Sequence, residues 1–365
     1  MITSSALGII FANVHDNLIS ELTEKRSMAS IPFGGRYRLV DFSLSNLVNA
    51  GISKVGLVTK QNYKSLADHI GSGHAYDLAR KTGGVYMLTP FSSTDTKVYK
   101  GKIDAIGGAM SYLEHAKEEY VVLSNANLVT NFPLDEMIAS HIGSGADITV
   151  AYKKGETSET YFEIADGKVV SVKSGEPLYE NAYLETFVIK KDLLISLIKE
   201  ALVHNYTDFM EDVFARNIDK IDVNAFEVTG YAKLITNIQE FFKTNQALLS
   251  KELREELFKN KDYPIYTKTK DNMPAKYGFN SSAKNSLIAD GCVIEGEVEN
   301  CILFRDVKVG KGAVLKNCIV MQGACIGDNV KLEYVIADNN VNFSEGRTLM
   351  GCETFPMVIG KGLTV

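Results

Sequence analysis

The chain contains no tryptophan, no cysteine before residue 292, no long apolar run and no excess of positive charge. Acidic residues number 45 against 39 basic, a formal net charge of −6, which excludes an overall positive field for nucleic acid or an anionic membrane. A local basic site for a small anion stays open to it. No stretch approaches the roughly 18 apolar residues of a membrane span, and the start MITSSALGIIFANVHDN has no basic segment ahead of its short apolar run. A cytoplasmic location is the expectation. The five cysteines, Cys292, Cys301, Cys318, Cys325 and Cys352, are odd in number and form no C-x-x-C pair, so neither a disulfide framework nor a zinc site is expected. Small buried side chains in a closely packed C-terminal structure explain their clustering, and the two ends of the chain are built differently.

At 365 residues, and with roughly 150 residues per domain as a prior, the chain suggests two domains or one large domain with an appendage. Hydrophobic residues make up 45% and charged residues 23%, enough apolar content for a sizeable core and too much for a disordered chain. From Ala6 to about Phe187, short apolar runs alternate with amphipathic stretches. ALGIIFA (6–12), KVGLVT (54–59), VYMLTP (85–90), EYVVLS (119–124) and DITVAY (147–152) read as strands largely buried on both sides. DFSLSNLVNAG (41–51), YKSLADHIG (63–71) and DAIGGAMSYLEHAKEE (104–119) carry helical spacing, the first ending in a glycine suited to the position after a helix. Strand, helix, strand repetition predicts right-handed crossovers and a mostly parallel sheet covered on both faces, an α/β, Rossmann-like architecture of nucleotide-binding type. A helix over 190–204 and a long amphipathic helix over 237–260 follow, and the charged segment 261–278 reads as a connector. The expected organisation is an α/β domain over 1–236, a helix and connector over 237–285, and a third region over 286–365.

That third region repeats. Ile288, Ile294, Val309, Leu315, Met321, Ile326 and Leu332 recur at a spacing near six, and the small residues Cys292, Ala313 and Ala324 follow three of them three or four places on. A triangular coil whose six-residue sides each send one aliphatic and one small residue inward has this pattern, the hexapeptide signature of a parallel β-helix. About four coils fit, with VIGKG (358–362) as one more partial turn. Such coils bury their faces only by stacking, so a structural and oligomerising role is expected. The rival, a hexapeptide acyltransferase, typically uses an imidazole base, and no histidine follows His204.

An α/β nucleotide-binding domain followed by a left-handed β-helix resembles the sugar-nucleotide pyrophosphorylases. IPFGGRYRLVDFSLSNLVNAGISKVGLVT (31–59) is similar to the ADP-glucose pyrophosphorylase (glucose-1-phosphate adenylyltransferase) family of glycogen synthesis. HIGSGHAYDL (69–78), GGVYML (83–88), VYKGKIDAI (98–106) and TDFMEDVF (207–214) are further matches, so the resemblance covers essentially the whole chain. A pyrophosphorylase holds a nucleoside triphosphate in line with a sugar phosphate and coordinates magnesium. That needs a glycine-rich turn, cationic side chains and carboxylates at strand ends. The family's A-G-G-x-G-x-R-L falls on residues 12–19, where Asn13, Val14 and Asp16 replace the glycines and Leu18 the arginine. Its K-P pair falls on Met28 and Ala29. Val14 crowds an approach meant for phosphate, Asp16 repels it, and Leu18 removes a cation. The magnesium aspartate of S-G-D-H falls on Ala126, which leaves Asp212 as the other expected carboxylate, and one carboxylate without its partner is a weak magnesium site. On the sugar-phosphate side, the lysine of F-x-E-K-P falls on Gly175 within VKSGEP (172–177), with Lys173 two residues out of register. A-S-M-G appears as Ala182, Tyr183, Leu184 and Glu185, a bulky ring and a carboxylate where phosphate and sugar need room.

Arg36, Arg38 and Asp41 survive in GGRYRLVDF. The resemblance puts these basic residues close to an effector cleft, so Arg36 and Arg38, with Lys60 or Lys64, are candidates to bind a phosphorylated effector or inorganic phosphate. A structural ion pair of one of them with Asp41 or a neighbouring carboxylate is the alternative. His69 and His74 have no metal spacing and are expected in packing or surface roles. The resemblance implies a catalytically deficient subunit of regulatory, D type that joins a catalytic glucose-1-phosphate adenylyltransferase subunit in a heterotetramer. It would carry no catalytic residue, metal or cofactor of its own and bind neither nucleic acid nor membrane. The alternatives are an active sugar-phosphate nucleotidyltransferase with a rearranged site, and a binding or scaffold protein that senses phosphorylated metabolites.

Overall fold

In a computed structural model that describes residues 5–90, 99, 101–175 and 180–365, the chain forms two compact units. The first comprises Met1–Val14, Val40–Leu234 and Asn260–Tyr266, and the second His15–Leu39, Ile235–Lys259 and Thr267–Val365. These units do not follow linear boundaries at 236 and 285, because interactions distant in sequence build the second one. Arg26 pairs with Asp338 at 2.7 Å, the Gly34 N–H donates to Oδ1 of Asn245 at 2.9 Å, and the Tyr37 ring stacks on Phe258. Residues 98 and 100 of the VYKGKIDAI match, and 176–177 of VKSGEP, lie outside the described residues.

Nine strands make one sheet in the first unit. Their spatial order is Gly84–Leu88, Lys54–Val58, Ala6–Phe11, Tyr120–Asn125, Asn181–Lys190, Ile148–Lys154, Val223–Glu227, Lys168–Ser174 and Thr160–Ala165. All five strands expected from apolar runs are present, and the first four in this order run parallel. Asn181–Lys190 runs antiparallel to both its neighbours, a reversed strand at the middle of the sheet. Leu7, Ile9, Val121, Leu123, Val150 and Phe187 from the central strands are buried together in the core. Helices Leu39–Asn49 and Lys64–Ile70 fall where the spacing predicts. The stretch 104–119 instead forms two short helices, Lys102–Gly108 and Met110–Glu114, and is out of helix before the strand at Tyr120. In the second unit the long helix expected over 237–260 is likewise broken, into Ile238–Ala247 and Lys251–Phe258. Ser250 starts the second piece by accepting the Leu253 N–H at 3.3 Å, a local bond that competes with continuing the first.

Three five-stranded parallel sheets form the β-helix, whose first strand, Lys276–Tyr277, precedes residue 286. One ladder runs Val293, Lys308, Cys325, Asn342, steps of 15, 17 and 17 residues, so the coils fall short of three ideal six-residue sides. Left-handed backbone turns the corners in register, with Asn300, Asn317 and Tyr334 at one corner and Asp306, Gly323 and Asn340 at another. Cys292, Cys301 and Cys318 are buried in the coil core with Ala313 and Ala324, but Cys325 is half-buried and Cys352 exposed. The expectation of buried cysteines is therefore corrected for these two: Cys325 is only partly covered, and Cys352 lies in the insertion that lengthens the last coil. Among the described residues no helix is long and apolar enough to cross a membrane.

Candidate functional site

Parallel register sets Phe11 beside Asn125, so the segments after both strands emerge at the same edge of the sheet, where α/β folds place ligands. The reversed strand pairs Thr186 with Ser124 and so carries Glu185 up to Asn125. Its ladder with Ile148–Lys154 slips between Tyr183 and Phe187, and in that bulge Glu185 takes a left-handed backbone. The Glu185 carboxylate is buried and accepts a hydrogen bond from Nδ2 of Asn125. Tyr183 is buried with its ring centroid 5.2 Å from that of Phe162, and Oγ of Ser158 donates to its carbonyl at 2.8 Å. Burial first, then the Glu185 and Asp208 carboxylates, push its phenol well above the ordinary value, which keeps it protonated. Asp212 lies in the wide turn Phe209–Phe214, where its Oδ2 accepts the N–H groups of Asp208 and Thr207, both at 3.1 Å. Those two donors hold its carboxyl below the usual carboxylate range, with Arg216 at 3.7 Å helping. Ala126 is buried, its N–H on the Phe11 carbonyl. Gly175 is exposed, and a Cβ built there would meet nothing within 4 Å.

Of the segment after the first strand, Asn13 and Val14 belong to the first unit. Oδ1 of Asn13 accepts the Lys60 N–H at 2.7 Å, and Val14 packs against the apolar core. From His15 the chain belongs to the second unit, where Oδ1 of Asp16 accepts the N–H of the buried Met28 at 2.8 Å and closes the intervening loop. Leu18 is 53% exposed and lines, with Ile238, Met350 and Phe355, an open groove of about 610 Å³.

The second unit also gathers cations that are scattered in sequence. Arg26 is buried against Asp338, and Arg305 is buried as well. Lys270 is pushed below the usual lysine value by burial and by Arg305, Arg38 and Lys268, with Asp306 opposing. Lys361 is pushed down by burial and by Arg26, Arg38 and Lys25, with Asp338 opposing. Nζ of Lys270 donates to Oε1 of Gln322 at 3.2 Å, and Arg26 reaches the sulfur of the adjacent Met321 at 3.9 Å, so with Arg38 acting on both lysines these groups form one cationic cluster that includes the carboxylates of Asp306 and Asp338. The mutual repulsion of these cations is a cost that an added anion would relieve.

Residues 17–165 match the family described as "Nucleotidyl transferase", and residues 273–354 match "GlmU-like, C-terminal hexapeptide". A glycogen biosynthesis protein GlgD from Bacillus subtilis is 34% identical over 364 residues, covering 100% of this chain and 98% of its own length. Its counterpart from Geobacillus stearothermophilus is 35% identical over 85% of this chain and 82% of its own. A glucose-1-phosphate adenylyltransferase from Fervidobacterium nodosum is 30% identical over 94% of this chain and 85% of its own. The chain belongs to the glucose-1-phosphate adenylyltransferase family. Among the basic residues singled out from its family-like segments, Arg38 is in the cationic cluster. Arg36 is exposed beside the Tyr37 ring, its guanidinium 5.8 Å from the centroid. Lys60 and Lys64 belong to the first unit, Lys60 bonded through its backbone to Asn13 and Lys64 exposed at the start of a helix. Asp41 receives bonds from Nε2 of His69 and from the Tyr76 hydroxyl, both at 2.6 Å, so His69 is a packing residue; His74 is exposed. The family resemblance did not bring forward Arg26, Lys270, Arg305 or Lys361. The one local signal for Arg305 is a charge pair, Arg305-Asp306, interrupting an apolar repeat.

Proposed function

We propose that this chain is a catalytically deficient, regulatory subunit of glucose-1-phosphate adenylyltransferase in glycogen biosynthesis, working in the cytoplasm in a complex, expected to be a heterotetramer, with a catalytic subunit. The observation that carries this reading is the bond between Asn125 and Glu185. Asn125 comes from the segment that aligns with the magnesium loop and Glu185 from the one that aligns with the sugar-phosphate loop, so the two are closed on each other by a buried carboxylate. Phosphate brought to that carboxylate meets like charge in a desolvated place, which is strongly unfavourable. Oδ2 of Asp212 is occupied by two backbone N–H groups and Oδ1 lies 3.7 Å from Arg216, and Leu18 contributes surface to an apolar groove. Asn13, Val14, Asp16, Met28, Ala126, Tyr183 and Gly175 complete the set of altered positions.

The subunit acts by differential binding. It favours the partner conformation with higher substrate affinity or turnover, a coupling of roughly 1–3 kcal/mol. The cluster around Arg38, Lys270 and Lys361 takes a phosphorylated effector or inorganic phosphate and biases that preference. The purified chain is expected to form no ADP-glucose above background with magnesium, and its addition to the catalytic subunit to change the rate or the effector response. Robust turnover by the chain alone would falsify this.

A further inference from the structure

We propose that Asp338 is a built-in counter-anion of the cationic cluster, and that a phosphate group binding there must displace it from Arg26. The proposal rests on the effector reading of that cluster and names how the site is regulated. Arg26 and Asp338 are both almost fully buried, their side chains 2% and 3% exposed, and Nη2 of Arg26 donates to Oδ1 at 2.7 Å. Among the described residues its other terminal nitrogen meets the Met321 sulfur, at 3.9 Å, a weak acceptor. A buried guanidinium stripped of its counter-charge is strongly disfavoured. Asp338 therefore leaves Arg26 only as another anion arrives, and the apparent affinity for that anion is reduced by the fraction of molecules in which the internal pair is closed. Asp338 is anchored lightly otherwise: the same Oδ1 accepts the N–H of its neighbour Asn339 at 2.6 Å.

The second carboxylate of the cluster is held differently. Asp306 accepts from the neutral amides of Asn272, at 2.6 Å, and Gln322, at 3.4 Å. It contributes negative charge to the same region without pairing to Arg26 in this way, which makes it an internal control. The exchange has a direction of action. Arg26 stands two residues before Met28, whose N–H is tied to Asp16, so replacing Asp338 by a mobile anion unfastens the loop 16–28 from the coil that carries Asp338.

The test is calorimetric titration of the full chain with inorganic phosphate and, separately, with glucose 1-phosphate, which distinguishes free phosphate from a phosphomonoester as the source of the group. Asp338→Asn keeps the hydrogen-bonding oxygen and removes the charge, and is expected to bind the better of the two probes at least about tenfold tighter than the natural chain. Asp306→Asn is expected to change the affinity by no more than about twofold. Equal gains in both variants, or none in Asp338→Asn, overturn the displacement while leaving the phosphate site standing. Binding of neither probe by any of the three folded chains overturns the effector reading itself. Amide exchange in the natural chain gives an answer that needs no variant: phosphate is expected to speed exchange at Asn339, and unchanged or slower exchange on saturation overturns the proposal.

Discussion

Glu185 and His141 are buried ionisable residues handled in opposite ways, and the difference sets what each does to the molecule. Glu185 keeps a donor, Asn125, and gains its place from a slipped ladder that no pattern of hydrophobic residues encodes. His141 is 1% exposed, with Nδ1 2.9 Å from Oγ1 of Thr149 and the Tyr120 ring at right angles to it. Burial drives its pKa down to about 4, with Lys190 adding to the effect and Asp147 opposing it. In the unfolded chain a histidine titrates at about 6.5. Between these values the unfolded state binds the extra proton, so stability is fully present above about pH 6.5 and falls as the pH drops toward 4, by roughly 2–3 kcal/mol for this residue. Urea unfolding at pH 7.5 and at pH 5 checks this. His141→Asn, which keeps a partner for Thr149, is expected to flatten the difference, and an unchanged slope would assign the pH dependence to other groups.

Elements were legible where one face had to be buried and obscure where a local bond intervened. The five apolar runs of the first unit and the aliphatic positions of the coil follow from burial alone, the runs because strands largely covered on both faces need nearly continuous apolar residues and the coil because each side sends its aliphatic residue inward. The single helix expected over 237–260 is two because the Ser250 hydroxyl caps a new start, and the reversed strand Asn181–Lys190 carries no sign of direction in its sequence. The coils are shorter than three six-residue sides for a related reason. The aliphatic spacing reports the sides, while the corners are set by residues that accept left-handed backbone, and these recur at Asn300, Asn317 and Tyr334. Asn317→Ala is expected to cost about 1–2 kcal/mol, the penalty for a Cβ in that conformation, whereas Asn317→Gly stays within a few tenths. Thermal unfolding of the two variants decides it, and equal losses would mean that the Asn317 side chain, not its backbone, is what the corner needs.

Across the whole molecule, one kind of site was readable in the sequence and the other was not. Substituted loop positions line up with contiguous motifs, so Asn13, Val14, Asp16 and Leu18 stand out by simple counting. The cationic cluster draws on residues 25–38, 268–270, 305 and 361, and only the folded second unit brings them within electrostatic reach. Regulation of the kind proposed here obeys reciprocity. If the subunit raises the partner's affinity for a substrate by some factor, the substrate must tighten assembly of the two chains by the same factor, because both measure one coupling free energy. A coupling of 1–3 kcal/mol corresponds to about 5–150-fold in either quantity. The hetero-association constant, measured by sedimentation with and without saturating glucose 1-phosphate, is therefore expected to shift by the same ratio as the dissociation constant of glucose 1-phosphate from the catalytic subunit with and without this chain. Matching ratios place the effect in differential binding. An association constant indifferent to substrate, beside a changed substrate affinity, breaks the cycle and would require this chain to hold substrate itself.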